Sequence, residues 1–238
     1  MNMKPSGTLY LIPTTMSESG VDRVIPSYNI DILKTLSHFI VEEIKTARRF
    51  IKVCNPSAVI DDLTFFELNE HTNINEIEHM LIPVLEGFDI GVISEAGCPA
   101  IADPGADIVA LAHKQGIKVV PLIGPSSILL ALMASGMNGQ SFTFIGYLPL
   151  KDERKKALKQ LELTSKQKRQ TQIFIEAPYR NQKLLEEMLV VCNPETKLCI
   201  GMNITGSDEL IVTKTIRDWK KSCPDINKKP TIFLLFCE

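Results

Sequence analysis

Apolar residues along this chain gather in short runs, separated by longer stretches with helical spacing. Thr8–Ile12 (T-L-Y-L-I) is the first run, and Pro13 ends it. His38–Val41, Leu63–Leu68, Ile90–Ile93, Ile117–Ile123 and Phe142–Tyr147 repeat the pattern. Short apolar runs bounded by Gly, Pro or polar clusters read as strands. Between them, Tyr28–Leu36 sets Ile30, Leu33 and Leu36 on one face. Ile74–Glu86 sets Ile77, Leu81, Ile82 and Leu85 facing in, with Pro83 as an expected kink. Asp107–Lys114 carries Ile108, Val109, Leu111 and Ala112, and Gly116 stands where a left-handed cap would close the helix. An apolar helix, Ile128–Ser135, follows Ser126-Ser127. Glu42–Lys52 is charge-rich and reads as a solvated helix face. Strands alternating with helices at this spacing predict a parallel sheet covered by helices.

The pattern changes after Leu148-Pro149. From Lys151 to Gln170 there are eight Lys or Arg against three acids, with Ala157, Leu158 and Leu161 as one apolar stripe. A basic amphipathic helix is expected, followed by a basic loop over Lys166–Arg169. Beyond it lie a strand at Gln172–Ile175, a loop at Glu176–Arg180, a helix at Asn181–Val191 and a strand at Lys197–Asn203. Glu209–Thr213, a helix-like Ile216–Lys221 and a last strand at Thr231–Phe236 complete the chain. The expected architecture is two α/β domains, residues 1–149 and 150–238.

Four small-residue loops each follow a predicted strand: Pro13–Gly20, Glu95–Gly105, Gly124–Ser127 and Glu176–Arg180. Loops at the carboxyl ends of strands are where open α/β sheets bind ligands. The central one, S-E-A-G-C-P-A-I-A-D-P-G from Ser94 to Gly105, brings two acids, Glu95 and Asp103, into a backbone that a ligand can approach closely. An ordinary strand-to-helix connection has the same look. Ser126 and Ser127 read equally as N-caps for the helix they open.

Composition narrows the chemistry. The chain has 238 residues, 45% hydrophobic and 23% charged, with a net charge of −2. No global basic field draws it to nucleic acid, so any RNA contact rests on a local patch. The Lys151–Arg169 segment is such a patch, or else a solubilising face; it has no aromatic residues for base stacking. Six cysteines, at 54, 98, 192, 199, 223 and 237, form no C-x-x-C pair, and four histidines are scattered, so no metal site is expected. With no signal peptide the thiols read as reduced and the protein as cytoplasmic. No apolar run reaches membrane-spanning length. Neither G-x-G-x-x-G nor a G-K-[ST] loop occurs, which disfavours nicotinamide and nucleoside-triphosphate chemistry. There is no nucleophile with a paired His, and no carboxylate pair at fixed spacing. Converging small-residue loops suit a bound cofactor that carries the reactive group.

A set of motifs, in order along nearly the whole chain, resembles the tetrapyrrole methylase superfamily of S-adenosylmethionine-dependent methyltransferases. Within it the chain is most similar to the small-subunit ribosomal RNA 2′-O-ribose (cytidine) methyltransferase I family. The resembling residues are Gly7–Leu11, Ser94–Pro99 with Ala102–Gly105, Pro121–Ser127, Ser135-Gly136, Gly146–Lys151 with Arg154, and Glu176–Arg180. The resemblance implies two α/β domains with the donor in the cleft between them, usually in a homodimer. It implies donor contacts from Pro13, Glu95, Ala96, Gly97, Asp103, Ser126, Ser127, Tyr147, Ala177, Met202 and Asn203. It implies methyl transfer to a ribose 2′-hydroxyl of small-subunit ribosomal RNA; a tetrapyrrole or other small-molecule acceptor, or donor binding without activity, are the alternatives.

The chain departs from the family pattern mainly where an acceptor would bind. Pro13–Gly20 stands where the family usually reads T-P-I-G-N-L-x-D, Glu42–Lys45 only loosely matches E-D-T-R, and Asn69-Glu70-His71 approximates H-N-E. In the central loop Glu95 stands for Asp and Cys98 for Thr, and Met202–Gly206 replaces an R-E-L-T-K type of stretch. A ribose hydroxyl needs a nearby proton acceptor. Glu43, Lys45 and Glu70 are the catalytic candidates, while Cys98 reads as a packed thiol.

Overall fold

In the computed structural model, which describes residues 6–69, 72–150 and 152–238, the apolar runs become the strands of two sheets. The chain divides into two units, one up to Pro125 and one from Ser126. The first contains β1 (Thr8–Ile12), α1 (Val21–Val24), α2 (Ser27–Thr35), β2 (His38–Val41), α3 (Ile44–Cys54), β3 (Thr64–Glu67), α4 (Ile74–Met80), α5 (Ile82–Leu85), β4 (Ile90–Ile93), α6 (Gly105–Lys114) and β5 (Lys118–Pro121). Its sheet has the order β3-β2-β4-β1-β5, and every pair is parallel.

Parallel neighbours cannot be joined by hairpins, so each connection crosses a face and carries a helix onto it. Side chains alternate between the two faces accordingly. Leu9, Ile40, Ile90 and Val92 pack with Ile77, Leu81 and Val84 of the α4–α5 segment and with Ile108 and Ala112 of α6. Ile12, Phe39, Val41 and Ile93 pack with Leu33 of α2 and with Ala47 and Ile51 of α3. Helices therefore cover both faces. β4 lies mid-sheet with all four residues buried. Gly91 has no room for a side chain: a Cβ there would sit 2.6 Å from Ile12 Cδ1 and 3.0 Å from Leu36 Cδ1.

The expected helix over 74–86 is two helices meeting at Leu81, with Pro83 in the first turn of α5. A proline is tolerated there because the amide it lacks would have no helical partner. The charge-rich segment is a helix with a clear inner face, Ala47, Ile51 and Cys54, and an exposed row of Lys45, Arg48, Arg49 and Lys52.

The second unit contains α7 (Ser127–Ser135), β6 (Phe142–Tyr147), α8 (Asp152–Lys168), β7 (Thr171–Ile175), α9 (Asn181–Val191), β8 (Lys197–Met202), β9 (Leu210–Thr215), α10 (Ile216–Trp219) and β10 (Thr231–Phe236). Its sheet runs β6-β7-β10-β8-β9. β6 is parallel to β7, β10 is antiparallel to β7 and β8, and β9 is antiparallel to β8. One face buries Phe174, Leu198, Ile200, Phe233 and Leu235 against Leu158, Leu184, Leu185, Met188 and Trp219 of α8, α9 and α10. α7 covers the other face: a Cβ on Gly201 would lie 3.0 Å from Ile232 Cγ2 and 3.4 Å from Ala131 Cβ. The Thr213 hydroxyl donates to Ser135 O at 2.8 Å on that same side.

Two expectations differ from this architecture. Phe142–Tyr147 was expected as the last strand of the first domain, with a boundary at Pro149; it is instead an edge strand of the second sheet, and the units divide after Pro125. An apolar run carries no label for its partner, and the pairing of β6 with β7 is made only after α8 has crossed back. The basic loop expected over Lys166–Arg169 is mostly helix, with α8 running to Lys168, because no Gly or Pro interrupts it.

Gly91→Ala should destabilise the protein by about 1–3 kcal/mol through overpacking at the sheet centre, read from the midpoint of urea unfolding. An unchanged midpoint would mean that Ile12 and Leu36 move aside freely.

Candidate functional site

The connection leaving β1 carries α2 onto one face of the first sheet, and the connection leaving β4 carries α6 onto the other. β1 and β4 are neighbours. Their carboxyl ends form a switch point, where open parallel sheets leave a crevice. The loops that meet there are cross-linked through the main chain. Thr14 N donates to Gly97 O at 2.9 Å, Thr14 Oγ1 to Ser94 O at 3.2 Å, and Ser94 Oγ to Gly97 O at 3.0 Å. Gly97 adopts φ +74°, and a Cβ on it would lie 3.2 Å from Pro125 O. The loop after β5 closes on Pro13, since a Cβ on Gly124 would fall 2.1 Å from Pro13 Cβ. These contacts bring Pro13, Gly97 and Gly124 into one wall.

The central loop holds an unusual backbone. Ala100 and Ala102 have φ of 65° and 59°, a left-handed conformation that costs about 1–3 kcal/mol per non-glycine residue. Asp103 offsets part of that cost: its Oδ1 accepts from Ala100 N and Gly105 N, each at 2.8 Å. Burial pushes the Asp103 carboxyl above its usual range, against the pull of those two amides. Glu95 and Ala96 are exposed, while Gly97 is buried beneath them. The Cys98 thiol faces Pro125 O at 3.4 Å, and burial raises its pKa, so it is a packed, protonated group.

Beside this wall lies a cleft of about 330 Å³ lined by Thr14, Ser17, Thr46, Arg49, Ser94 and Glu95, among others. Thr46, in its lining, stands between two of the predicted acids. Glu43 is the N-cap of α3, with Oε1 accepting from Lys45 N at 2.9 Å and Oε2 from Thr46 N at 3.1 Å. The Thr46 hydroxyl lies 2.6 Å from Glu95 Oε1 and 2.9 Å from Glu43 O, and its single proton serves one acceptor at a time. Lys45 stands exposed in the first turn of the same helix. Glu70 and His71 lie outside the described residues. Thr46 is the link that sequence reading missed. The Glu-x-x-Thr spacing at a helix start was its signal.

In the second unit, β6, β7 and β8 run in the same direction, so Tyr147, Ala177 and Met202-Asn203 sit at one end of one sheet. Tyr147 is exposed and follows a bulge at Gly146, whose φ is +76°. Met202 is buried at 6% exposure, which leaves mainly its main chain for contact. Asn203 and Thr205 have φ of 46° and 74°. Their loop is pinned by Asn203 N to Pro230 O at 2.9 Å and by Asn203 Nδ2 to Asp208 Oδ2 at 2.7 Å. At the start of α7 the expected hydroxyl cap does not form: Ser126 occupies the N-cap position, but no side-chain cap bond is made.

A buried ion cluster stands behind these loops. Arg154 is 3% exposed. Its Nη2 donates to Glu176 Oε2 at 2.7 Å, Nη1 to Glu187 Oε2 at 3.3 Å and Nε to Pro149 O at 3.1 Å. Glu176 Oε1 accepts from Arg180 Nη2 at 2.5 Å, Arg180 Nε at 2.8 Å and Ala177 N at 2.8 Å. The Arg180 guanidinium in turn lies 4.9 Å from the Tyr179 ring centroid. One carboxylate thus fixes the loop after β7 and, through Arg154, the loop after β6. Arg154 was expected among surface cations; it is instead an interior residue. Among the described residues no cluster of His, Cys, Asp and Glu could hold a metal ion.

Comparison with known proteins bears on this arrangement. The family model described as Tetrapyrrole (Corrin/Porphyrin) Methylases matches residues 30–220. "Ribosomal RNA small subunit methyltransferase I" of Vibrio cholerae is 32% identical over 209 residues, covering 87% of this chain and 69% of that protein. The protein of the same name from Bacillus subtilis is 34% identical over 214 residues, covering 89% and 68%. Among solved structures, the methyltransferase CobJ aligns with a TM-score of 0.65 at 16% identity, covering 97% of this chain and 94% of that one. A uroporphyrin-III C-methyltransferase from Thermus thermophilus, complexed with S-adenosyl homocysteine, aligns at 0.58 and 13% identity, covering 97% of each chain. At those identities the two structures speak to the fold.

Removing the carboxylate in Glu176→Ala would leave Arg154 buried without its partner. We expect a loss of about 3–5 kcal/mol in urea unfolding. A loss under about 1 kcal/mol would be the value of an exposed pair and would discount the cluster.

Proposed function

We propose, from the premise that the chain belongs to the tetrapyrrole (corrin/porphyrin) methylases, that it transfers a methyl group from S-adenosylmethionine to a ribose 2′-hydroxyl of small-subunit ribosomal RNA. The observation that carries this reading is the match, over most of the chain, to proteins named for methylation of small-subunit ribosomal RNA.

The donor-holding residues we assign are Pro13, Glu95, Ala96, Gly97 and Asp103 in the first unit. In the second they are Ser126, Ser127, Tyr147, Ala177, Met202 and Asn203. The chemistry of the first set suits such a donor: carboxylates for ammonium or ribose hydroxyl groups, and exposed main chain at residues 95–96. Bound S-adenosylmethionine supplies an electrophilic methyl on a sulfonium, so the protein needs no nucleophile of its own. Its residues act by position, holding reactants in line within a fixed wall. Glu43 accepts the proton of the acceptor hydroxyl in this reading, held rigid by its cap bonds to α3, with Lys45 as the other candidate. Glu70, the third, lies outside the described residues.

A homodimer belongs to the same reading. It is supported by Leu129 and Met133 of α7, which are 52% and 80% exposed. The same reading has the protein work in the cytoplasm, where ribosomal subunits are. Among the described residues no helix is long and apolar enough to cross a membrane.

The direct test incubates methyl-labelled donor with small ribosomal subunits from cells lacking the protein. Label should enter RNA and protect one linkage from alkaline cleavage. Donor binding by calorimetry, with no label in RNA, would overturn the reading; label in a tetrapyrrole instead would reassign the acceptor. Glu43→Gln keeps an acceptor oxygen for the helix cap but weakens the proton acceptor. It should lower the single-turnover rate by about 10²-fold or more, with donor affinity unchanged. An unaltered rate would clear Glu43 and leave Lys45.

A further inference from the structure

α8 turns two different faces to its surroundings. Arg154, Leu158, Glu162 and Ser165 are buried, and Leu158 packs in the core of the second sheet. Lys155, Lys156, Lys159, Leu163 and Lys166 are exposed along the adjoining flank. Lys155, Lys159 and Lys166 fall in one row at helical spacing, with Lys156 a step aside. Along the helix axis Lys155 and Lys166 are about 16 Å apart at the standard rise.

Two clefts open along this face and share Lys159 and Leu163. One, of about 610 Å³, is lined by Lys155, Lys156, Gln160 and Val191. The other, of about 590 Å³, adds Lys166, Asn193, Thr196 and Lys197. The acids in the second cleft are already engaged. Glu162 faces inward and accepts from Asn193 N at 2.6 Å, Thr196 Oγ1 at 2.5 Å and Lys159 Nζ at 3.1 Å. Glu195 pairs with Arg217, and Glu238 pairs with Lys197. Among the described residues, Lys155, Lys156 and Lys166 have no ion-pair partner, on a chain whose net charge is −2.

The direction of the groove matters. α8 begins just after the end of β6 and finishes just before the start of β7. It therefore runs back from the sheet end that carries Tyr147 and Ala177 to the opposite end, where Lys197 opens β8. We propose that this groove is a track for the phosphate backbone of the RNA acceptor, with Lys155, Lys156 and Lys166 as the phosphate contacts. The proposal rests on the RNA reading above and names the surface that holds the RNA away from the reacting ribose. Flexible ammonium groups in a row suit a repeating anion without reading bases, and the absence of aromatic side chains from the groove excludes stacking there.

The test is equilibrium binding of small-subunit ribosomal RNA across a salt series. The triple variant Lys155→Gln, Lys156→Gln, Lys166→Gln should flatten the slope of log affinity against log salt by about 2 to 3. Its thermal midpoint and S-adenosylmethionine affinity should stay as in the parent. Its KM for ribosomal subunits should rise while kcat is kept. A control with equal charge loss elsewhere, Lys114→Gln, Lys118→Gln, Lys220→Gln, should keep the parental slope. Equal flattening in both variants would overturn the proposal, as would an unchanged slope in the groove variant. Loss of binding to phosphatidylserine vesicles with RNA binding intact would reassign the groove to a membrane surface. The binding readout is independent of methyl transfer. If the parent binds RNA through these lysines but methylates no subunit, the acceptor reading fails and the groove stands. If it methylates subunits with the groove variant unaltered, the groove alone fails.

Discussion

Parallel strands impose the constraint from which the first unit follows. A chain leaving the carboxyl end of one strand must return to the amino end of the next, so it must cross a face of the sheet. Here the crossing after β1 is made on the α2 and α3 side, and the crossing after β4 on the α6 side. Two adjacent strands whose exits part in this way leave main-chain groups at their ends with no sheet partner. Thr14, Ser94 and Gly97 satisfy some of these among themselves. Glu95 and Ala96 lie exposed above them. The candidate site is thus a consequence of strand order before any side chain is considered.

The second unit reaches a similar result with a mixed sheet. Antiparallel β10, placed between β7 and β8, restores their common direction and sends three loops to one end. Loops gathered in this way need holding, and the Arg154–Glu176 pair does it from within. Removing two charges from water costs several kcal/mol per ion unless the partners and hydrogen bonds are complete. Glu176 has three donor groups around it, and Arg154 donates from three nitrogens. Positive φ at non-glycine residues occurs in both loop sets, at Ala100 and Ala102 and at Asn203 and Thr205, as well as at Arg169 and Lys228. Such strain persists where surrounding bonds over-determine the backbone, and Asp103, Pro230 and Asp208 supply those bonds.

The strands and most helices were legible because each is a local pattern. Ile90–Ile93 is buried along its whole length and reads as an uninterrupted apolar run. The division of the chain was less legible. F-T-F-I-G-Y looks the same as a last strand of one sheet or a first strand of another, and only its pairing with β7 decides. α7 is apolar on every side, so its sequence marks no inner face. The loops of the candidate site were visible as clusters of small residues. The groups that hold them were not. Glu176 and Arg154 are 22 residues apart, Thr46 and Glu95 are 49 apart, and no local spacing announces either pair.

The departures from the family pattern acquire a physical meaning once the contacts are known. Glu95, longer than the usual Asp by one methylene, reaches the Thr46 hydroxyl across the rim of the cleft. Cys98, in place of Thr, turns its thiol to the carbonyl of Pro125. Both side chains tie the central loop to a neighbouring segment, Glu95 to α3 and Cys98 to the loop after β5. That is what methyl transfer from a sulfonium demands. The reacting bond brings its own electrophile, and the protein contributes a fixed line of approach. Side chains in such a wall are exchangeable when the replacement supports the same main-chain path. The glycines at 97 and 124 are less so, because Gly97 holds φ +74° and Pro13 occupies the space a Cβ on Gly124 would need.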